Sequence, residues 1–254
     1  MNGSIRTAAL AVILAAGSAA MAGDPVFIRS NVSDLWFQGG QVNAMNDVFG
    51  NGNWQDLRFE TSNPQSVFDP STKCIMMEGG NDQADELENY LNSNQALIEG
   101  WVQNGGHLII NAAPNEGDGM NLGFGGISLN YPDSDSVGNA VNINHPVYNG
   151  PYGQAGASLI GSSWNHASVS GGGISAITTN SGNGNANLAE KAFGSGHLIV
   201  GGLTLDFFYS HPSWTQPDSQ IYLKNLISYN CTIPAPGSAA LLGFAGLAAA
   251  RRRR

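Results

Sequence analysis

Apolar positions fall into two kinds of spacing between residues 25 and 112. Short continuous runs at 26–29, 74–77 and 107–110 predict buried strands, and 56–60 alternates like a half-buried one. Between them lie stripes at helical spacing. Residues 41–49 predict a helix closed by Gly50. Asp82 is placed to cap a helix carrying Leu87, Tyr90 and Leu91. Asn92-Ser93-Asn94 then predicts a break before a second segment with Leu97, Ile98, Trp101 and Val102, stopped by Gly105-Gly106. From 113 to 187 the pattern changes: Gly, Asn, Ser and Asp dominate, and only 158–160, 166–169 and 174–178 are strand-like. Strand runs resume at 188–193 and 197–200, and 217–229 predicts a last helix with Tyr222, Leu223, Leu226 and Ile227 inward. Strands alternating with helices predict an α/β domain with a mostly parallel sheet, helices on both faces, and a Gly/Asn-rich region of loops and short strands inserted at 113–187.

Charge changes the picture of partners. Only 11% of the 254 residues are charged. Five of the ten basic residues are Arg6 and Arg251 to Arg254, whereas all 19 acidic residues lie between, so residues 23–232 carry −14. That balance repels phosphate backbones and excludes nucleic acid as a partner.

The two ends look like addresses. Arg6, an apolar stretch over 8–16 and then Ala20-Met21-Ala22 predict a signal peptide at 1–22, removed by signal peptidase before Gly23. Residues 23–232 form the exported domain. The last 22 residues contain Pro234, Ala235 and Pro236, then an apolar stretch over 238–250, then Arg251, Arg252, Arg253 and Arg254. This order closely resembles the PEP-CTERM sorting tail of bacterial exported proteins, although Ala235 stands where that family has Glu. The resemblance implies an exosortase-type processing protease, a transient membrane anchorage through the tail, and delivery to the cell surface or extracellular polysaccharide matrix. The alternative is an anchor that is never cut. In an exported chain Cys74 and Cys231 either pair as one disulfide or stand as two buried thiols.

Trp101-Val102-Gln103-Asn104-Gly105-Gly106-His107-Leu108-Ile109-Ile110 and Gly194-Ser195-Gly196-His197-Leu198-Ile199-Val200-Gly201-Gly202 resemble elements of class I glutamine amidotransferase-like domains, especially their non-catalytic, often secreted branches. Asn144-His145-Pro146-Val147 is similar to a His-Pro element of trehalose-utilisation-type relatives. The resemblance implies a flavodoxin-like fold. It does not extend to the chemistry. The strand at 107–110 leads into Asn111-Ala112-Ala113-Pro114, with no nucleophile at the turn, and Cys74 opens its strand instead of ending it. Catalytic amidotransferase residues are therefore absent.

The remaining polar residues give a weaker signal. His107, His145, His166, His197 and His211 show no metal-ligand spacing, and the glycines at 123–126 and 171–173 lack the Lys-Ser/Thr of a phosphate loop, so neither metal nor cofactor is expected. Glu116, Asp118, Asp133 and Asp135 offer oxygen ligands for calcium but fit no EF-hand, and read as solvated loops. Trp36, Trp54, Trp164 and Trp214 are candidates to stack on sugars, or core residues. Open α/β sheets place ligands beyond the carboxyl ends of their strands, which nominates Glu78, Asn81, Asp206, His211 and Trp214 as a cleft. Two functions follow: a non-catalytic binding or structural role in the envelope or matrix, or a glycan hydrolase working through Glu78 and Asp206.

Overall fold

The computed structural model describes residues 23–232 apart from Asp34 and Lys73; the expected leader and sorting tail lie outside these residues. The chain runs β1 (Val26–Arg29), α1 (Gln38–Phe49), β2 (Gln55–Arg58), α2 (Pro64–Val67), β3 (Cys74–Glu78), α3 (Ala84–Gln103) and β4 (His107–Asn111). Ten strands follow: β5 (Met120–Gly123), β6 (Ile127–Asn130), β7 (Asp135–Ala140), β8 (Asn149–Gly150), β9 (Gly153–Gln154), β10 (Ser158–Asn165), β11 (Ser168–Gly171), β12 (Ser175–Asn180), β13 (Ala186–Phe193) and β14 (Gly196–Gly201). Helices α4 (Leu205–Ser210) and α5 (Pro217–Thr232) close the described chain.

One nine-stranded sheet, ordered β10-β7-β12-β13-β14-β4-β3-β1-β2, carries the domain. Strands β2, β1, β3, β4 and β14 are mutually parallel, whereas β13, β12, β7 and β10 pair antiparallel. A three-stranded sheet, β11-β6-β5, and the hairpin β8-β9 are antiparallel as well. Seven of the eleven strand pairings among the described residues are thus antiparallel. The expectation of a mostly parallel, flavodoxin-like sheet of the glutamine amidotransferase-like kind is overturned. Strands β7, β10 and β12 from the Gly/Asn-rich segment extend the main sheet itself. No described helix is long and apolar enough to cross a membrane, and the apolar stretch at 238–250 falls outside the described residues.

The parallel strands are buried on both faces, which explains why they read as continuous apolar runs. Their residues alternate between two cores. Ile28, Met77, Leu108, Ile110 and Val200 face α2, α3 and the small sheet. Phe27, Met76, Ile109 and Ile199 face α1, α4 and α5. Helix α3 is continuous through Asn92-Ser93-Asn94, because Leu87, Leu91, Ile98 and Val102 all pack into the first core and override the weak local propensity. Asp82 does not cap it. Glu116 reaches across from the loop after β4, its Oε1 accepting from the backbone N–H groups of Ala84 at 3.0 Å and Asp85 at 3.4 Å.

Of the two cysteine alternatives, the structure has the disulfide. Cys74 at the start of β3 and Cys231 at the end of α5 are bonded, with Cα atoms 5.1 Å apart. Helix α5 runs back against the parallel strands, so its carboxyl end lies at the edge where those strands begin. Asp133 and Asp135 are consumed by the turn between β12 and β13. Asp133 accepts from the side-chain amides of Asn180, Asn183 and Asn185, and Asp135 from Ser181 Oγ and the Gly182 N–H. No grouping able to hold a metal occurs among the described residues.

Candidate functional site

The carboxyl ends of β3, β4 and β14 bring a buried polar group together. Glu78 ends β3, and in register beside it Asn111 ends β4. The Asn111 Nδ2 donates to both Glu78 oxygens at 3.0 Å and to the Leu203 carbonyl at 2.8 Å, while its Oδ1 accepts from the Leu203 N–H at 3.0 Å. Gln41 of α1 adds a bond from Nε2 to Glu78 Oε2 at 2.9 Å. Asp206, in the first turn of α4, accepts the Phe37 N–H at 2.8 Å. Glu78 is only 2% exposed and Asp206 only 3%.

Burial sets the charge state of both carboxyls. Desolvation, with the neighbouring Asp206 carboxyl second, pushes Glu78 well above the usual carboxylate range against the bonds from Asn111. Desolvation raises Asp206 to about 6, opposed by backbone N–H groups at Phe37 and in the first turn of α4. Gln41 Oε1, the other polar atom of that amide, is buried without a partner among the described residues.

Above this pair lies a cleft of about 210 Å³, lined by Trp36, Ser162, Ser163, His166, Thr204, Phe207 and Phe208. Its aromatic walls are set by two consecutive carbonyls after β4. Trp36 Nε1 donates to the Ala113 carbonyl at 2.7 Å, and His166 Nδ1 donates to the Pro114 carbonyl at 2.9 Å. The two rings sit with centroids 4.4 Å apart. Gly40 brings α1 against α4, since a Cβ there would stand 2.0 Å from the Asp206 carbonyl oxygen. Gly161 likewise admits Phe208 to the floor, where an added Cβ would meet the ring at 2.2 Å.

The five expected cleft residues divide accordingly. Glu78 and Asp206 come together but are sealed below the cleft, not exposed in it. Asn81, at φ 57°, acts through its backbone: its N–H donates to the Ala113 carbonyl at 2.9 Å and its carbonyl accepts the Asn115 N–H at 3.0 Å, which holds the loop that orients Trp36 and His166. His211 stacks on Phe207 at 4.5 Å, and its Nδ1 accepts from the Ser213 N–H at 3.2 Å. Trp214 is 49% exposed and does not line the cleft. Gln41, Asn111, Ser162, Ser163, Thr204 and Phe207 went unrecognised in the sequence. A strand-terminal Asn in register with a strand-terminal Glu was the one available signal.

With the geometry described, the chain can be set beside known proteins. No family model and no curated protein matches it. Among solved structures it is similar to a cytoplasmic protein from Salmonella typhimurium, with a TM-score of 0.53 and 11% identity over 81% of this chain and 98% of that one. The likeness is one of fold. A β-galactosidase from Bacillus circulans sp. alkalophilus aligns at a TM-score of 0.48 and 11% identity, over 83% of this chain and 31% of the enzyme. An exo-β-1,4-mannosidase from Opitutaceae bacterium strain TAV5 aligns at 0.48 and 11%, over 84% and 36%. The chain spans about a third of each glycosidase, and these two alignments are too loose to carry an argument.

Proposed function

We propose that the chain is an exported, non-catalytic domain that binds extracellular polysaccharide through the cleft of Trp36, His166 and Phe207. The observation that carries this reading is the separation of roles at the carboxyl ends of the strands. The open surface consists of rings and hydroxyl-bearing residues, while Glu78 and Asp206, the carboxyls at the strand ends beneath it, are buried and hydrogen-bonded. Glycoside hydrolysis by two carboxyls needs both to reach the scissile bond, and a Glu78 and Asp206 that are 2% and 3% exposed do not. The cleft is smaller than the roughly 300–1,000 Å³ typical of drug-sized ligand sites, which suits one ring of a longer polymer. Export is supported by the leader-like start and by the disulfide, since such bonds persist in oxidising compartments.

The test mixes the purified protein with the polysaccharide of its own host and follows both co-sedimentation and new reducing ends over a day. Co-sedimentation lost in Trp36→Ala, with no new reducing ends, is the expected outcome. New reducing ends that vanish in Glu78→Gln or Asp206→Asn would replace this reading with the hydrolase.

A further inference from the structure

The cleft offers an unusually short list of polar atoms, and their chemistry restricts the ligand. We propose that it receives a neutral sugar unit, its C–H face on Trp36 and Phe207 and one hydroxyl donated to His166 Nε2, and that it turns away uronic-acid and other anionic units. This rests on the polysaccharide-binding reading above.

Each wall residue contributes to that selection. Trp36 Nε1 is spent on the Ala113 carbonyl, so the indole presents carbon to the cleft. The Thr204 hydroxyl donates its proton to the carbonyls of Ser163 and Trp164, so it has none to give a ligand. In His166 the nitrogen facing the Pro114 carbonyl must carry the proton, because a carbonyl only accepts. Nε2 is then a lone-pair acceptor, and it has no partner among the described residues. Desolvation also holds the His166 ring below its ordinary proton affinity, so the acceptor persists at neutral pH. Ser162 and Ser163, within β10, accept side-chain bonds through their carbonyls, and no described residue engages their hydroxyls, which leaves both for a ligand. A hydroxyl-rich, uncharged ring satisfies this set.

An anionic ring does not. None of the four described cations is in the wall. Arg29 and Arg58 pair with Asp56, Lys191 is held by the carbonyls of Phe124 and Gly172, and Lys224 lies over Tyr152. A carboxylate on the sugar would instead meet the His166 lone pair and the excess negative charge of residues 23–232, with nothing to neutralise it.

The experiment uses affinity electrophoresis of the full chain in gels holding either a neutral glucan or polygalacturonate. Retardation by the glucan alone is expected. His166→Phe keeps a ring and removes the acceptor, so it should weaken glucan binding about tenfold, the scale of one lost hydrogen bond. His166→Gln should recover part of it, and Ser162→Ala, at an exposed position that tolerates the change, should weaken it less. Discrimination against polygalacturonate should hold from pH 8 down to the ordinary histidine value of 6.5 and weaken only in more acid solution, where Nε2 takes a proton and the ring a positive charge. A purely structural His166 would give no such profile. Equal or stronger retardation by polygalacturonate, or unchanged binding in a folded His166→Phe, overturns the selection while leaving polysaccharide binding intact. No retardation by either polymer, with none by the host polysaccharide, overturns both.

Discussion

The two edges of the parallel strands treat their carboxylates in opposite ways. Where the strands end, Glu78 and Asp206 lie together with no ion pair to either among the described residues, and burial raises both toward the protonated form. Where the strands begin, Glu190 of β13 accepts from His145 Nε2 at 3.3 Å, His197 Nε2 at 3.2 Å and the Tyr229 hydroxyl at 3.0 Å. Those donors and the charge the two histidines can carry outweigh burial and hold Glu190 far below the usual range. The same edge carries the disulfide. One edge is a donor-rich clamp that fastens α5 and the 142–148 loop to the sheet. The other buries two carboxyls whose proton affinity is raised, beneath a small cleft. The difference shows that neither burial nor the number of donors alone sets a carboxyl's charge state: Glu78 also accepts three side-chain bonds, but it faces a second carboxyl where Glu190 faces two histidines.

Removing the clamp's covalent member should have the largest effect. The disulfide joins residues 157 apart, which in the chain-entropy view is worth up to about 5 kcal/mol. Cys74→Ser with Cys231→Ser should cost about 3 to 5 kcal/mol in urea unfolding, and reducing agent should lower the wild type to match it. A loss below about 1 kcal/mol would mean the noncovalent clamp suffices.

Next in size is Gly40→Ala. Its methyl would collide with the Asp206 backbone, so α1 must move off α4. We expect a loss of about 2 to 3 kcal/mol by thermal unfolding, and reduced polysaccharide binding because Phe37 and Trp36 shift with α1.

The contrast between edges also separates what the chain's pattern discloses from what it conceals. β1, β3 and β4 are apolar on both faces, so Val26–Arg29, Cys74–Glu78 and His107–Asn111 are legible as strands within a residue or so. β7, with Asp135-Ser136-Val137-Gly138-Asn139-Ala140, carries no such pattern. Gly138 is there because Trp164 packs onto it, with an added Cβ falling 2.4 Å from the indole nitrogen, and no local rule reveals that. The legible half alone therefore predicts more parallel sheet than the domain contains. Glu78 and Asp206 were legible as neighbours, since both follow strands at one edge. Their seclusion was not, because Asn111, Gln41 and the Phe37 N–H reach them from 33 to 169 residues away in sequence.

A pH series breaks the comparison into its two halves. A carboxyl whose folded affinity for protons is raised stabilises the fold at acid pH and loses that contribution as pH rises. For Asp206 the window runs from the unfolded value of 3.8 to about 6, and the shift corresponds to about 3 kcal/mol. Glu78→Gln replaces a group that must take up a proton to be buried with one that never ionises, and keeps an acceptor for Asn111. It should therefore raise stability by about 1 to 2 kcal/mol at pH 7.5, with the gain shrinking toward pH 4.

Glu190→Gln should give the smallest change and the opposite sign. A carboxyl held below its unfolded value stabilises the fold above that value of 4.5, and the contribution disappears as pH falls through the folded one. The substituted amide still accepts from one histidine, so the expected loss at pH 7 is about 1 kcal/mol, discounted because the Glu190 side chain is 22% exposed. Measured as the difference from wild type, the Glu190→Gln penalty should fade below pH 4.5 while the Glu78→Gln gain grows above it. Two difference curves that slope alike would mean the edges do not differ as their donors indicate. His145→Phe sharpens the test further. It removes one of the three donors, so the Glu190→Gln penalty measured in that background should be smaller than in the wild type.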